Sequence, residues 1–316
     1  MNLSRPSLPM SQLRTTFGDK LQENVVMANY TTARVGGVAD AVLIAQSAAE
    51  LESIVRILWE LETPFLIFGS GSNVLVSEAG IRELVVINRA HTVKIDSQHN
   101  PPSVWAESGA NLGSLARQVA LRGLGGLEWA ANIPGSIGGA VYGNAGAHNT
   151  DMRSNLILAE ILHRTEGQQS WPVDRLAYQY RSSILKRIPG QAVILAARLQ
   201  LSCSSKEEVQ ARMEVYNAQR RRTQPPGASL GSMFRNPPGD YAGQLIEAAG
   251  LKGVRIGGAE ISPVHANFFV NKNQAKADDI RKLILLAQEN VQQKFGIKLE
   301  LEIELVGDWS PSDLRG

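Results

Sequence analysis

Cysteine is almost missing from this 316-residue chain, which has one, Cys203, so that no intrachain disulfide can form. Cys203 ends the alternating run Ala197–Cys203 and is expected to be a small buried hydrophobe rather than a nucleophile. No apolar stretch approaches the length of a membrane span, and Met1–Gly18, interrupted by Pro6 and Pro9, lacks the apolar core of a signal peptide. The expected setting is cytoplasmic. Excess charge of one sign is lacking too: 32 basic against 30 acidic residues leave +2, which gives no reason to expect nucleic acid or a membrane as partner. The five histidines show no ligand spacing, so no metal is expected. Fixed-period repeats are absent. So are the common nucleotide motifs: Val74 stands where a dinucleotide fingerprint needs its third glycine, and no Gly-Lys pair exists to form a P-loop.

What is present is the composition of a folded protein, 43% apolar and 20% charged, in a chain too long for one ordinary core. Leu51, Ile54, Val55 and Leu58 recur at helical spacing and predict a helix over 47–61. Strands are expected at Phe65–Phe68, Leu84–Ile87, Val104–Glu107 and Ala192–Leu201, with a helix over 112–121. A capping box of Ser204 or Ser205 with Glu207 or Glu208 opens a helix toward Arg222. Further helices are expected at Tyr241–Ala249 and Ala277–Phe295, and a strand at Asn267–Val270. The alternation over Ile297–Val306 is the clearest strand signal. The expected division is a loosely ordered segment 1–28, a first domain 29–202, a second domain 203–308 and a tail 309–316.

Two glycine-rich segments stand out. Gly69-Ser70-Gly71-Ser72-Asn73 follows a predicted buried strand, where small residues let successive N–H groups turn toward one anion. The stretch Trp129–Ala147 carries no formal charge and includes Ile133-Pro134-Gly135-Ser136-Ile137-Gly138-Gly139 and Asn144-Ala145-Gly146. Glycine density without charge suits main chain packed against a flat, largely apolar ligand. Together they point to an extended dinucleotide across the first domain. Elsewhere, Tyr178–Ser183 places Arg181 between aromatic and hydroxyl residues, where its planar fork suits a carboxylate. Arg220-Arg221-Arg222 could neutralise phosphates or complement a helix dipole. Gly231-Ser232-Met233-Phe234-Arg235-Asn236-Pro237 offers a hydroxyl, a cation and an amide in one loop, and Phe234 breaks the Gly-x-Ser-x-Gly elbow of hydrolases.

Read in order from Asn29 to Gly307, these segments resemble the UDP-N-acetylenolpyruvoylglucosamine reductase family. Asn29-Tyr30-Thr31-Thr32 with Gly36-Gly37, Gly69–Leu75 and Ile133–Ala147 are similar to its flavin-domain entry, pyrophosphate loop and flavin-contacting segment. Tyr180–Ser183, Gly231–Phe234 and Leu299–Glu302 are similar to its three catalytic segments. The short interval between Arg181 and Ser232 resembles the family's second type, which lacks an extra substrate-covering tyrosine loop. The resemblance implies an α+β fold: a PCMH-type FAD-binding region of two α+β subdomains, followed by a C-terminal α+β substrate-binding domain.

The implied activity is reduction of the enolpyruvyl double bond of UDP-N-acetylglucosamine enolpyruvate by NADPH through non-covalent FAD, giving UDP-N-acetylmuramate for peptidoglycan precursor synthesis. Residue by residue, it makes Arg181 the group that binds and polarises the carboxylate, Ser232 the proton donor and Glu302 its assistant. Alternation alone leaves Glu300, Glu302 and Glu304 equivalent; the family motif selects Glu302. Gly69–Asn73, Ile133–Ser136, Gly138, Gly139 and Asn144–Gly146 would hold the cofactor, and Asn236, Arg222 and Asn267 the UDP or sugar. A single chain acting as a monomer is expected. Another PCMH-type oxidase or dehydrogenase, or a non-catalytic nucleotide-sugar binder, stays open at this point.

Overall fold

The computed structural model describes residues 8–310. Three α+β layers succeed one another. The first is a four-stranded sheet ordered Gln22–Val26, Val38–Ala45, Leu84–Asn88, Phe65–Phe68, whose first pairing is antiparallel and whose other two are parallel. A parallel pair needs a crossover, and the helix Ala48–Glu60 provides it. Ser47 caps that helix by accepting from the Glu50 N–H at 3.1 Å, and Leu51, Ile54, Val55 and Leu58 are its buried stripe, as the spacing predicts.

The second layer is a five-stranded antiparallel sheet ordered Gly167–Pro172, Leu156–His163, Ala192–Gln200, Ser103–Glu107, Val93–Asp96. The helix Leu112–Ala120 and the short helix Ile137–Gly143 share its core. The third is a four-stranded antiparallel sheet ordered Ala228–Ser232, Phe268–Asn271, Ala259–Ile261, Arg255–Ile256, packed against helices Ala242–Ala248 and Ala277–Phe295.

Several expectations need correction. The segment 1–28 is not loosely ordered within the described residues: a helix, Met10–Phe17, buries Leu13 against the first layer, and Gln22–Val26 pairs with Val38–Val42. Pro9 starts that helix instead of breaking it, because a proline at a helix entrance removes only an N–H that has no partner there. Residues 1–7 and 311–316 lie outside the described part, which leaves most of the expected tail untouched. Cys203 is exposed, because its two-residue strand leaves the five-stranded sheet and pairs only with Leu124–Gly125 in a separate two-stranded ladder, where alternation no longer tracks burial.

The helix Lys206–Thr223 opens on the Ser205/Glu208 capping box but sends its buried Val209 and Met213 into the second layer's core, and its Arg212 pairs with Glu128 at 2.8 Å. We therefore propose that the domain division falls nearer Thr223 than residue 203.

The strand expected over 297–306 is laddered only at Glu304–Val306. Burial still alternates, with Leu299 and Ile303 in the C-terminal core. The backbone changes partner midway: Glu302 N–H donates to the Met233 carbonyl at 2.8 Å, and Glu304–Val306 then runs parallel to Val74–Val76. One extended segment thus stitches the third layer to the glycine-rich loop of the first.

Candidate active site

Gly69–Asn73 follows the strand Phe65–Phe68 as the sequence predicts. Gly71 has φ +60, and a Cβ there would stand 1.9 Å from the Tyr30 carbonyl oxygen, so no other residue fits without moving that backbone. A Cβ on Gly69 would meet the Ser136 hydroxyl at 2.3 Å, and the Ser72 hydroxyl donates to the Pro134 carbonyl at 3.2 Å. The two glycine-rich segments, 60 residues apart in sequence, therefore touch. The N–H groups of Ser70, Gly71 and Ser72 have no partner among the described residues, which leaves a small-residue cradle with free donors, the chemistry that a pyrophosphate needs. Next to it Ser136 caps the helix Ile137–Gly143 by accepting from Gly139 N–H, and Gly138 packs its Cα against Ser108. These residues fit an FAD.

Asn144 is buried in the left-handed region at φ 48, and its amide is consumed by Asp151, the Gln179 carbonyl and the Arg153 N–H. It shapes the segment rather than presenting a free polar group. Its bond to Gln179 also anchors the turn that carries Arg181. There Gln179 and Ser182 exchange both backbone hydrogen bonds, and Arg181 sits at φ 55, a conformation that long side chains adopt at a cost of about 1–3 kcal/mol when the surroundings hold them there. Strain of that kind concentrates where a side chain must be aimed.

Arg181 is aimed at the junction. Its Nε donates to Glu302 Oε1 at 2.8 Å and its Nη2 to the Gly146 carbonyl at 2.8 Å. Glu302 is held in turn by its own backbone: its N–H on Met233, one residue from Ser232, and its carbonyl accepting from Asn73 Nδ2 at 3.1 Å. Arg181, Glu302 and the Ser232 loop, far apart in sequence, are thereby tied to each other and to both glycine-rich segments. Ser232 lies half-buried after Gly231, whose φ of +77 accompanies a bulge in the pairing with Phe268–Asn271. Its hydroxyl is not engaged by any described residue.

The structure also separates the three glutamates that alternation left equivalent. Glu300 is exposed, Glu302 meets Arg181, and Glu304 pairs with Lys186 Nζ at 2.9 Å. Lys186 escaped the sequence reading, because a lysine in a one-turn helix carries no motif. Beside it, burial first and Glu304 second push the Tyr142 phenol up to about 12.

Of the three residues expected at the UDP or sugar, Asn267 is buried with its amide clamped on Phe234, donating to that carbonyl at 2.8 Å and accepting from that N–H at 2.9 Å. We propose it as a residue that positions the Ser232 loop. Asn236 accepts from Ala242 N–H at the start of the helix Ala242–Ala248 and is otherwise exposed, and Arg222 points to solvent at a helix end. Among the described residues there is no group of metal-ligating side chains, and no helix long and apolar enough to cross a membrane.

A small-residue cradle with free N–H groups spanning two α+β layers, beside an arginine–carboxylate pair and an unengaged hydroxyl, offers the groups that a flavin-dependent oxidoreductase needs. Comparison with known proteins agrees and goes further. Residues 39–168 match the family model described as FAD binding domain, and 223–306 that described as UDP-N-acetylenolpyruvoylglucosamine reductase, C-terminal domain. A UDP-N-acetylenolpyruvoylglucosamine reductase of Chloroflexus aggregans is 42% identical over 291 residues, 90% of this chain and 97% of that one. The reductase of the same name from Bacillus subtilis is 39% identical over 301 residues, 94% and 98% of the two chains. The crystal structure of the Thermus caldophilus enzyme superposes with a TM-score of 0.76 at 35% identity, covering 89% of this chain and 97% of that one. The chain belongs to the UDP-N-acetylenolpyruvoylglucosamine reductase family.

Proposed function

We propose that the chain reduces UDP-N-acetylglucosamine enolpyruvate to UDP-N-acetylmuramate with NADPH, using Arg181, Ser232 and Glu302. The observation that carries this reading is the convergence of Arg181 and Glu302, 2.8 Å apart, with the Ser232 loop on the carbonyl of Gly146 and the side chain of Asn73. Bound FAD supplies the hydride transfer that lets NADPH and the sugar nucleotide use one site in turn. The protein's own task is the charge and the proton.

Hydride addition to the terminal methylene leaves an electron pair on the neighbouring carbon, delocalised into the carboxylate. Arg181 faces that carboxylate, and a fixed cation aimed at developing charge stabilises the transition state more than the ground state. Its strained turn and its bond to Gly146 hold it there before substrate arrives. Ser232 then gives its hydroxyl proton to the carbon and recovers one from water. A hydroxyl can do so because the enolate carbon is far more basic. Glu302 accepts from Arg181 and so orients the guanidinium. The net change is one hydride from NADPH and one proton from solvent.

All three groups come from one chain, which supports action as a monomer, and the small-molecule substrates suit a cytoplasmic enzyme. Initial-rate kinetics test the alternating use of the site. Parallel double-reciprocal lines for NADPH and the sugar nucleotide are expected; intersecting lines would contradict it.

A further inference from the structure

Arg181 is not the only cation that reaches the C-terminal segment. Lys186 Nζ pairs with Glu304 Oε1 at 2.9 Å, and the lysine is the more deeply covered partner, 17% exposed against 37% for the glutamate. A covered ammonium is costly unless an acid joins it, so Lys186 is kept on Glu304. The same amine stands 5.9 Å from the centroid of the Tyr142 ring, where the face of the ring adds a weaker attraction.

Lys186 and Arg181 belong to one stiff unit. Ser183, fully buried, accepts from the Lys186 N–H at 3.3 Å and donates to the Tyr142 carbonyl at 2.6 Å. Arg187 donates to the Ala177 carbonyl at 2.7 Å and to the Ser182 hydroxyl at 3.2 Å, and Gln179 and Ser182 close the turn between them. The two glutamates are joined as closely. They flank Ile303, which is buried in the C-terminal core, and Asn73 grips both: its side-chain amide donates to the Glu302 carbonyl at 3.1 Å and its own carbonyl accepts from the Glu304 N–H at 2.9 Å. Two ion pairs therefore connect the same two segments, Arg181 with Glu302 and Lys186 with Glu304.

The pairs differ once substrate arrives. Arg181 must share its guanidinium between Glu302, the Gly146 carbonyl and the incoming carboxylate, whereas the task of Lys186 is Glu304. Without Lys186, Glu304 would be an uncompensated carboxylate two residues from Glu302, and it would compete for Arg181. We propose that Lys186 and Glu304 are a positioning pair, which keeps Glu302 in register with the Arg181 turn while the guanidinium engages substrate. This rests on the reaction proposed above, in which Arg181 acts after hydride has left the flavin.

Stopped-flow absorbance follows both half-reactions in FAD-loaded wild type, Lys186→Met, Lys186→Arg, Glu304→Gln and the double variant of Lys186→Met with Glu304→Gln. Arg56→Gln, which breaks the surface pair Glu52–Arg56, is the control. Lys186→Met and Glu304→Gln should each lower the limiting rate of reoxidation by the enolpyruvyl substrate about 10- to 100-fold, the scale of a small misplacement at a reacting centre. Reduction by NADPH should stay at the wild-type rate. The double variant should be no slower than the slower single one, because the two side chains act as a unit. Lys186→Arg keeps the charge and should restore most of the rate, and Arg56→Gln should match wild type. A pair that served stability alone would lower the melting temperature of Lys186→Met and leave both half-reactions unchanged. That outcome, losses that multiply in the double variant, or equal losses in both half-reactions would overturn the assignment. Wild-type protein whose reduced flavin ignored the enolpyruvyl substrate would overturn the proposed reaction as well, whereas normal wild-type turnover with an indifferent Lys186 overturns this inference alone.

Discussion

Ser232→Ala should leave reduction of the bound flavin by NADPH close to the wild-type rate and slow its reoxidation by the enolpyruvyl substrate by at least ~10²-fold, the usual loss for a positioned general acid. The asymmetry follows from where the proton is needed. The Ser232 hydroxyl has no partner among the described residues, and its loop is fixed through the backbone pairing with Phe268 and through its neighbours: Met233 by Asn267 and Glu302, and Phe234 by the Asn267 amide. Removing the hydroxyl therefore removes a proton without loosening the loop. Stopped-flow absorbance of each half-reaction at saturating substrate separates the outcomes, because a transition-state role lowers the limiting rate and a binding role raises the half-saturation concentration. Normal reoxidation would shift the proton to Glu302 or a bound water, and loss in both halves would indicate damaged flavin binding.

Arg181→Gln should have the other large effect, lowering the limiting rate of reoxidation by ~10²–10³-fold, the scale set by loss of one donor aimed at developing negative charge. It also leaves Glu302 without its cation in a site where both side chains are mostly covered, with 23% and 19% exposure. A modest fall in melting temperature should accompany the kinetic loss. Arg181→Lys tests the geometry: an ammonium gathers its donors on one atom and lacks the planar fork whose separate nitrogens reach Glu302 and the Gly146 carbonyl, so most of the defect should remain. Recovery to near wild type would mean that charge alone matters and that the strained turn has no catalytic purpose.

The close packing of the two glycine-rich segments was legible because glycine is informative where backbone must come close. Gly69 and Gly71 sit where a Cβ would strike Ser136 or the Tyr30 carbonyl, so the composition of the loop is dictated by its packing. Helices with a clean apolar stripe, such as Ala48–Glu60 and Ala277–Phe295, were equally readable. What alternation could not convey is which partner a backbone chooses. Residues 297–306 read as one strand, yet the segment leaves the Ser232 loop for Val74–Val76 partway along. That change of partner places Glu302 on Arg181 and Glu304 on Lys186. The helix Lys206–Thr223 was recognised by its cap, but not that Val209 and Met213 join the second layer's core, since a helix with two buried residues says little about the core it joins. Ion pairs across the layers depend on tertiary contacts that no local pattern encodes.

The most direct test of the central claim is an anaerobic visible-absorption titration of the purified protein. The account predicts a flavin spectrum, FAD rather than FMN released on denaturation, bleaching by NADPH with no sugar nucleotide present, and recovery of the absorbance when UDP-N-acetylglucosamine enolpyruvate is added. A colourless protein that cannot be reconstituted with FAD, or a bleached flavin that air reoxidises rapidly while the enolpyruvyl substrate does not, would contradict it.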